Sequence, residues 1–182
     1  MLPGSQGCDT LVIFSSPHRD GFTAQMLNAF LQQNGIEDYH FFNCYDEMPQ
    51  PCVGCNLCEK VFRCSRTDLA DFGRAFLDCK RLIIATPIYN NGLPAPLKAL
   101  LDRNQIFFSA RFSRNEKDIA TKKEAILLMT CGSQLDKTQT MLDIFLPAFT
   151  VNSTTLVGHC LWKGTDQNSP MPTDLPTFND RK

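Results

Sequence analysis

An α/β fold with a parallel sheet covered by helices on both faces is the architecture this sequence predicts, and three observations carry it. Short β-rich apolar runs alternate with helix-length amphipathic segments along residues 10 to 161, the pattern of repeated β-loop-α units. The central runs are continuously apolar rather than alternating, as strands buried on both faces require. Turn-forming residues follow the runs, marking exits into loops. The reading is a doubly wound, three-layer αβα domain with five strands in the order 2-1-3-4-5. The chain has 182 residues, 43% of them hydrophobic, which is one domain's length and enough to bury a core. We place that core at about residues 10–164 of a single domain spanning 1–182.

Each element follows from local chemistry. Thr10 to Phe14 (TLVIF) is the first strand, entering the turn-rich Ser15 to Gly21. A helix over Thr23 to Gln33 puts Met26, Leu27, Phe30 and Leu31 on one face, and Asn34-Gly35 stops it. Asp38 to Asn43 is the second strand. After a cysteine-rich segment introduced by Pro49 and Pro51, Asp68 to Leu77 forms a helix burying Leu69, Phe72, Phe76 and Leu77. Arg81 to Ala85 is the clearest central strand, and Pro94 to Asp102 a helix whose early prolines suit its first turn. Glu124 to Met129 is the fourth strand, Thr138 to Phe149 a helix, and Asn152 to Leu161 the fifth strand. Pro170, Pro172 and Pro176 make Thr165 to Lys182 a poor helix, so an extended or mobile tail is expected and the final helix is missing.

Charge and hydropathy exclude several classes. Eighteen Lys and Arg balance nineteen Asp and Glu, for a formal charge of −1, so no global field recruits nucleic acid or an anionic membrane. No apolar stretch reaches the ~20 residues of a bilayer span, and Met1 to Gly7 has neither a basic start nor an apolar run. The expectation is a cytoplasmic protein.

Three loops share one end of the predicted sheet. The first, Ser15-Ser-Pro-His-Arg-Asp-Gly-Phe-Thr23, joins a strand to a helix N-terminus, where free N–H groups and the helix dipole favour an anion. Without a Gly-Lys-Ser/Thr or a G-x-G-x-x-G pattern, it suits a terminal monophosphate, and its composition equally fits an ordinary βα turn. The second, Thr86-Pro-Ile-Tyr-Asn-Asn-Gly92, has a stiffening proline, a flat ring at Tyr89 and backbone N–H groups at Asn90 to Gly92. The third is Thr130-Cys-Gly-Ser133. Strand order 2-1-3-4-5 puts the ligand-binding switch point between the first and third strands. Phosphate at the first loop and an aromatic ring between the other two describe a flavin mononucleotide (FMN) site; Tyr89 as a simple rim aromatic is the plainer alternative.

Together, Phe14-Ser-Ser-Pro-His-Arg-Asp-Gly-Phe-Thr23, Cys52-Val-Gly-Cys-Asn-Leu-Cys58 and the run from Thr86-Pro-Ile-Tyr-Asn-Asn-Gly92 through Leu93-Pro-Ala-Pro-Leu-Lys-Ala-Leu-Leu-Asp-Arg103 resemble the flavodoxin-like NAD(P)H-dependent FMN reductase superfamily. The resemblance covers about residues 10 to 166, and its most specific part is Pro87 to Arg103. It implies that Ser16, His18, Phe22 and Thr23 surround the phosphate. It also implies that Pro87, Ile88, Tyr89, Asn90, Asn91 and Gly92 contact the isoalloxazine, and that Thr130, Cys131, Gly132 and Ser133 bind its pyrimidine edge. Where His18 and Phe22 stand, the family commonly has Arg and Asn, and Arg19 is the available substitute cation. The resemblance further implies NAD(P)H as co-substrate, a small-molecule electron acceptor or redox protein as partner, and a homodimer or higher homo-oligomer.

The nine cysteines fall short of the ~8 to 10% of a disulfide scaffold. Four of them, Cys52, Cys55, Cys58 and Cys64, lie in one segment with spacing C-x2-C-x2-C-x5-C. Three thiolates at such intervals can wrap a [4Fe–4S] cluster while a fourth closes it. Zinc pairs usually stand a dozen or more residues apart, and cluster-free relatives carry similar cysteines. The compact spacing resembles the iron–sulfur flavoprotein branch. Weaker signals are the basic stretch Arg111, Arg114, Lys117, Lys122 and Lys123, read as a solvated loop or a dinucleotide-phosphate contact, and His159, read as a packed strand histidine. The leading expectation is an FMN-dependent oxidoreductase passing electrons from NAD(P)H or a reduced carrier to a quinone, a nitro or azo compound, or a cluster. The flavin carries the chemistry, with no side-chain acid or base. Its rivals are an electron carrier or redox sensor without nicotinamide turnover, and a zinc-stabilised interaction protein.

Overall fold

A computed structural model describes residues 8–116 and 119–179. Met1 to Gly7, Lys117 and the end of the predicted tail lie outside these residues. The elements are β1 Thr10–Phe14, α1 Phe22–Gln33, β2 His40–Asn43, α2 Cys44–Glu47, α3 Leu57–Lys60, α4 Ala70–Asp78, β3 Arg81–Pro87, α5 Ala95–Asp102, α6 Gln105–Phe112, β4 Lys123–Cys131, α7 Thr138–Val151 and β5 Thr154–Lys163. All strand pairs are parallel, in the order β2-β1-β3-β4-β5. The predicted strand order therefore holds.

The strand registers explain why β1, β3 and β4 read as unbroken apolar runs. Alternate residues feed two separate cores. Leu11, Ile13, Leu82, Ile84, Leu127 and Met129 face α4 to α7, meeting Phe76, Leu97, Phe107, Met141 and Phe145. Val12, Phe14, Ile83, Ala85, Ile126 and Leu128 face α1, meeting Met26, Leu27, Phe30 and Leu31. Flavodoxin-like αβα layering results, with parallel strands presenting their carboxyl ends along one rim.

The second core is closed by the tail rather than by a helix. Among the described residues, a single 3-10 turn, Thr165–Gln167, is the only helical structure after β5. Beyond it the chain runs extended across the sheet face and is anchored there, so the mobile alternative is not what this segment adopts. Leu175 and Phe178 are buried, and Phe178 meets Phe30 edge-on at 6.2 Å. Gln33 Nε2 donates to Leu175 O at 3.1 Å and Trp162 Nε1 to Ser169 O at 2.9 Å. Prolines that forbid a helix are compatible with this strap because an extended chain needs no internal ladder. A bulge between Ala125 and Ile126 in the β4–β5 register brings Gly158 under Pro176, where an added Cβ would stand 2.6 Å from the Pro176 Cβ. Gly158→Val is therefore expected to lift the strap and cost about 1–3 kcal/mol by overpacking. Earlier cleavage near residues 170–178 in limited proteolysis and a lower Tm would show it; an unchanged cleavage pattern would refute it.

Candidate functional site

The carboxyl ends of β1, β3 and β4 are held together by specific bonds. Ser15 N–H donates to Ala85 O at 2.9 Å, and Ile88 N–H to Thr130 O at 2.8 Å. The hydroxyls of Thr23 and Thr130, both buried, pair at 2.7 Å and tie the start of α1 to the end of β4. The three sequence-predicted loops thus form one rim.

The first loop is built like an anion cradle. His18 N–H donates to Ser16 Oγ at 3.2 Å, and Gly21 N–H to His18 O at 3.4 Å, curling the chain into α1. A Cβ at Gly21 would stand 2.9 Å from the His18 Cβ, so only glycine lets this turn close. Gly21 provides no side-chain cap and the first turn of α1 carries no acidic residue. The first amide N–H groups of the helix, with its positive dipole end, are left for an external anion. Beneath the loop, buried Ser15 Oγ finds no partner at hydrogen-bond geometry among the described residues. Burial pushes the neighbouring Cys44 thiol up to about 12, an effect the Ser15 hydroxyl opposes. The uncapped helix end, with this buried hydroxyl beneath it, fits a phosphate monoester. Other candidates there are placed differently: Phe22 packs edge-on against Trp162 at 5.1 Å, and Arg19 pairs at 2.5 Å with Asp46, itself bound by Asn43.

In the second loop Tyr89 and Gly92 exchange both backbone bonds at 3.0 and 2.9 Å, and Asn90 and Asn91 take positive φ of 50° and 61°. That is a type I′ turn, for which Asn is well suited. It corrects one expectation: the Gly92 amide is spent on Tyr89 and the Ile88 amide on Thr130, which leaves those of Asn90 and Asn91 as the loop's candidate donors. Tyr89 is 41% exposed, its ring standing on the rim near Tyr45. Tyr45 was not legible as a site residue; its only signal was its place two residues after Asn43, whose side chain accepts its amide at 3.0 Å. In the third loop Thr130 and Cys131 complete β4 rather than leaving it. Asp166 folds over Gly132, where a Cβ would fall 2.3 Å from a carboxylate oxygen.

The cysteine segment forms a second centre. Cys52, Cys55, Cys58 and Cys64 all line one small cavity of about 30 Å³. Gly54 and Asn56, with positive φ of 63° and 58°, turn the backbone around it. Cys55 and Cys58 are held by Ser65 Oγ at 3.0 Å and Ser109 Oγ at 3.5 Å. The Ser65 hydroxyl holds the exposed Cys55 thiol below its usual range, favouring the thiolate that ligates metal. Among the described residues no three His, Cys, Asp or Glu side chains already surround a metal-sized point. Four thiols around one loop fit a thiolate-bound cluster in kind and number. All nine cysteines are unpaired; Cys44 and Cys79, buried and pushed up to about 12 and about 11, are core thiols.

Sequence reasoning missed what holds this loop closed. Arg103, 7% exposed, donates to Gln50 O at 2.9 Å, to both Asp68 oxygens at 3.1 and 3.3 Å and to Arg66 O at 3.1 Å. Asp68 also accepts from Gln50 N–H at 2.9 Å. One guanidinium thereby staples the segment before Cys52 to that after Cys64. Arg114 grips Cys58 O and pairs with Glu116 at 2.8 Å. The basic stretch is consequently not one solvated loop. Lys123 is buried, donating to Thr121 O at 2.8 Å with Nζ 4.6 Å from the Phe76 ring centre, and burial pushes its pKa down. With Arg111 and Lys122 it lines a polar hollow of about 460 Å³ at the amino ends of β4 and β5. That lies roughly 26 Å along β4 from the rim, too far to belong to it. His159 is exposed on β5 instead of packed.

Known proteins resemble this chain in sequence and in fold. The chain is 33% identical over 98 residues to an iron–sulfur flavoprotein of Methanocaldococcus jannaschii, covering 51% of this chain and 50% of that protein. It is 31% identical over 103 residues to an iron–sulfur flavoprotein of Archaeoglobus fulgidus, covering 55% and 52%. The matched region thus spans about half the length of these curated relatives. Its fold resembles that of an NAD(P)H:quinone oxidoreductase from Methanothermobacter marburgensis, with TM-score 0.66, 18% identity and coverage of 91% and 86%. Residues 9–163 match the family described as NADPH-dependent FMN reductase, and the chain belongs to that family.

Proposed function

We propose that this protein is an FMN-dependent oxidoreductase. It draws electrons from NAD(P)H or a reduced carrier and passes them to a quinone, a nitro or azo compound, or an iron–sulfur cluster on Cys52, Cys55, Cys58 and Cys64. The observation that carries the reading is the rim itself: three loops bonded together over an uncapped helix N-terminus, with the buried Ser15 hydroxyl beneath them meeting no hydrogen-bond geometry among the described residues. Ser16, Thr23 and the first amides of α1 hold the phosphate, with His18 at its edge and Arg19 drawn aside onto Asp46. Pro87 to Gly92 and Thr130 to Ser133 flank the ring, Tyr89 offering its face and the amides of Asn90 and Asn91 their donors. FMN, when bound, exchanges electron pairs with a nicotinamide and single electrons with other carriers. Residues of the chain orient it and exclude water beneath it.

Protein purified without oxygen is expected to contain one FMN with about four irons and four acid-labile sulfides per chain, and to oxidise NADPH or NADH when FMN and ferricyanide are supplied. FMN with turnover but no iron would leave a flavin reductase and reduce the four cysteines to structural or redox-sensitive roles. Bound FMN without turnover from either nicotinamide would favour the carrier. Zinc without flavin would overturn the reading.

A further inference from the structure

The first loop of the rim carries one arginine, and the fold has already given it a carboxylate. Arg19 stands in the curl between His18 and Gly21 that leads into α1. Its Nη2 donates to Asp46 Oδ1 at 2.5 Å. The other oxygen of that carboxylate, Oδ2, accepts from Asn43 Nδ2 at 2.9 Å. Asn43 is buried at the end of β2, in register with Phe14, the last residue of β1, and its Oδ1 accepts the Tyr45 N–H at 3.0 Å. One buried amide therefore caps α2 with its oxygen and, with its nitrogen, holds Asp46 beside the point where the first loop leaves the sheet.

The ion pair alone would count for little, since 74% of the Arg19 side chain and 42% of the Asp46 side chain are exposed. What the fold adds is position. The aspartate is short and already tied to Asn43, so little of its freedom remains to be lost when it meets the guanidinium. A carboxylate in that place cancels most of the field that an anion arriving at the loop would feel from Arg19. It also occupies guanidinium donors that a phosphate would otherwise receive in pairs.

We infer that Asp46 is a positioning residue that withdraws Arg19 from the flavin phosphate and so flattens the preference of this site for FMN over riboflavin. The inference rests on the function proposed above and deepens it by naming what sets ligand choice at the same rim. Phosphate binding is left to hydroxyls and to the first amides of α1, which offer dipoles in place of a full charge. The dephosphorylated flavin, with the same ring, is then a ligand too.

The experiment is a fluorescence titration of flavin-free full-length protein, handled without oxygen, with FMN and separately with riboflavin, which differ by the phosphate alone. Asp46→Asn removes the charge and keeps an oxygen for Asn43. FMN should bind this variant about fivefold or more tighter than the parent, the gain from one charge-assisted contact to phosphate, while riboflavin affinity stays the same. Arg19→Ala should alter FMN affinity by less than about twofold in the parent, as expected of a cation already engaged at the surface, and should abolish the gain in the Asp46→Asn background. Glu47→Gln, an equal loss of charge at the next residue, should leave both affinities unchanged. If Asp46→Asn does not fold, Asp46→Ser gives the same readout. Unchanged FMN binding in the folded variant, an equal gain for riboflavin, a gain that survives without Arg19, or one as large in Glu47→Gln would each overturn the inference. A parent protein that binds neither flavin would remove the proposed function along with it, whereas FMN binding that none of these substitutions shifts would remove this inference alone.

Discussion

Cys55→Ser is expected to bring the iron content from about four per chain to near zero while FMN stays bound. Cys55 is the middle thiol of the closely spaced run, is exposed and carries the thiol that the Ser65 hydroxyl shifts toward thiolate. Serine removes the soft ligand that iron–sulfur clusters require and leaves a hard, protonated hydroxyl. Nothing on the rim depends on it, because the bonds joining the three loops run through Ser15, Ile88, Thr23 and Thr130. Cys44→Ser is the informative companion: that thiol lies in the core, so iron should be unaffected. Iron and sulfide assays beside the flavin absorbance decide the matter, and full iron in the Cys55 variant would remove the cluster from these cysteines.

Arg103→Leu should produce the largest stability loss, about 3 kcal/mol, by leaving the Asp68 carboxylate and two backbone carbonyls without their donor in a poorly hydrated place. The sign of its pH dependence follows from Asp68. Burial works to raise that carboxyl, but the Gln50 amide and Arg103 outweigh it and hold the group below its ordinary 3.8. A depressed folded value means the stabilisation is fully present above the unfolded value and is lost as pH falls through the folded one. The deficit of the variant against the parent should therefore be widest near neutrality and narrow below about pH 4 as Asp68 protonates. Urea unfolding across that range reads it directly, and a deficit independent of pH would show that the pair is not its source. Arg103→Lys should recover only part of the loss, since an ammonium cannot span Gln50, Asp68 and Arg66 with one planar fork.

Much of this architecture was readable because the strands carry their information locally. A five-residue run such as Thr10 to Phe14 is apolar at every position since both its faces are buried, and the loops after β1, β3 and β4 had to meet once the strand order was known. What escaped reading depended on distance or on missing punctuation. Gln105–Phe112 is a helix, yet no Gly or Pro separates it from α5, and its two exposed phenylalanines, Phe108 and Phe112, blur the amphipathic pattern. The prolines of the tail said what it could not be. Where Leu175 and Phe178 would land was written in Gly158 and Phe30, far away in sequence. Likewise Arg103 looks like an ordinary basic residue at a helix end until Gln50, Arg66 and Asp68 are brought around it.

The helix between the two centres acts as a gear. Its eight residues, Ala95–Asp102, begin just after the Tyr89–Gly92 turn and end on Arg103, so about 12 Å of rigid rod join the rim to the staple. Adding or deleting one residue in such a rod would swing Arg103 by about 100° around its axis, unlocking the cysteine loop although neither loop had been altered. Insertions should then be accepted in whole turns or not at all, so this segment keeps its phase as strictly as its composition.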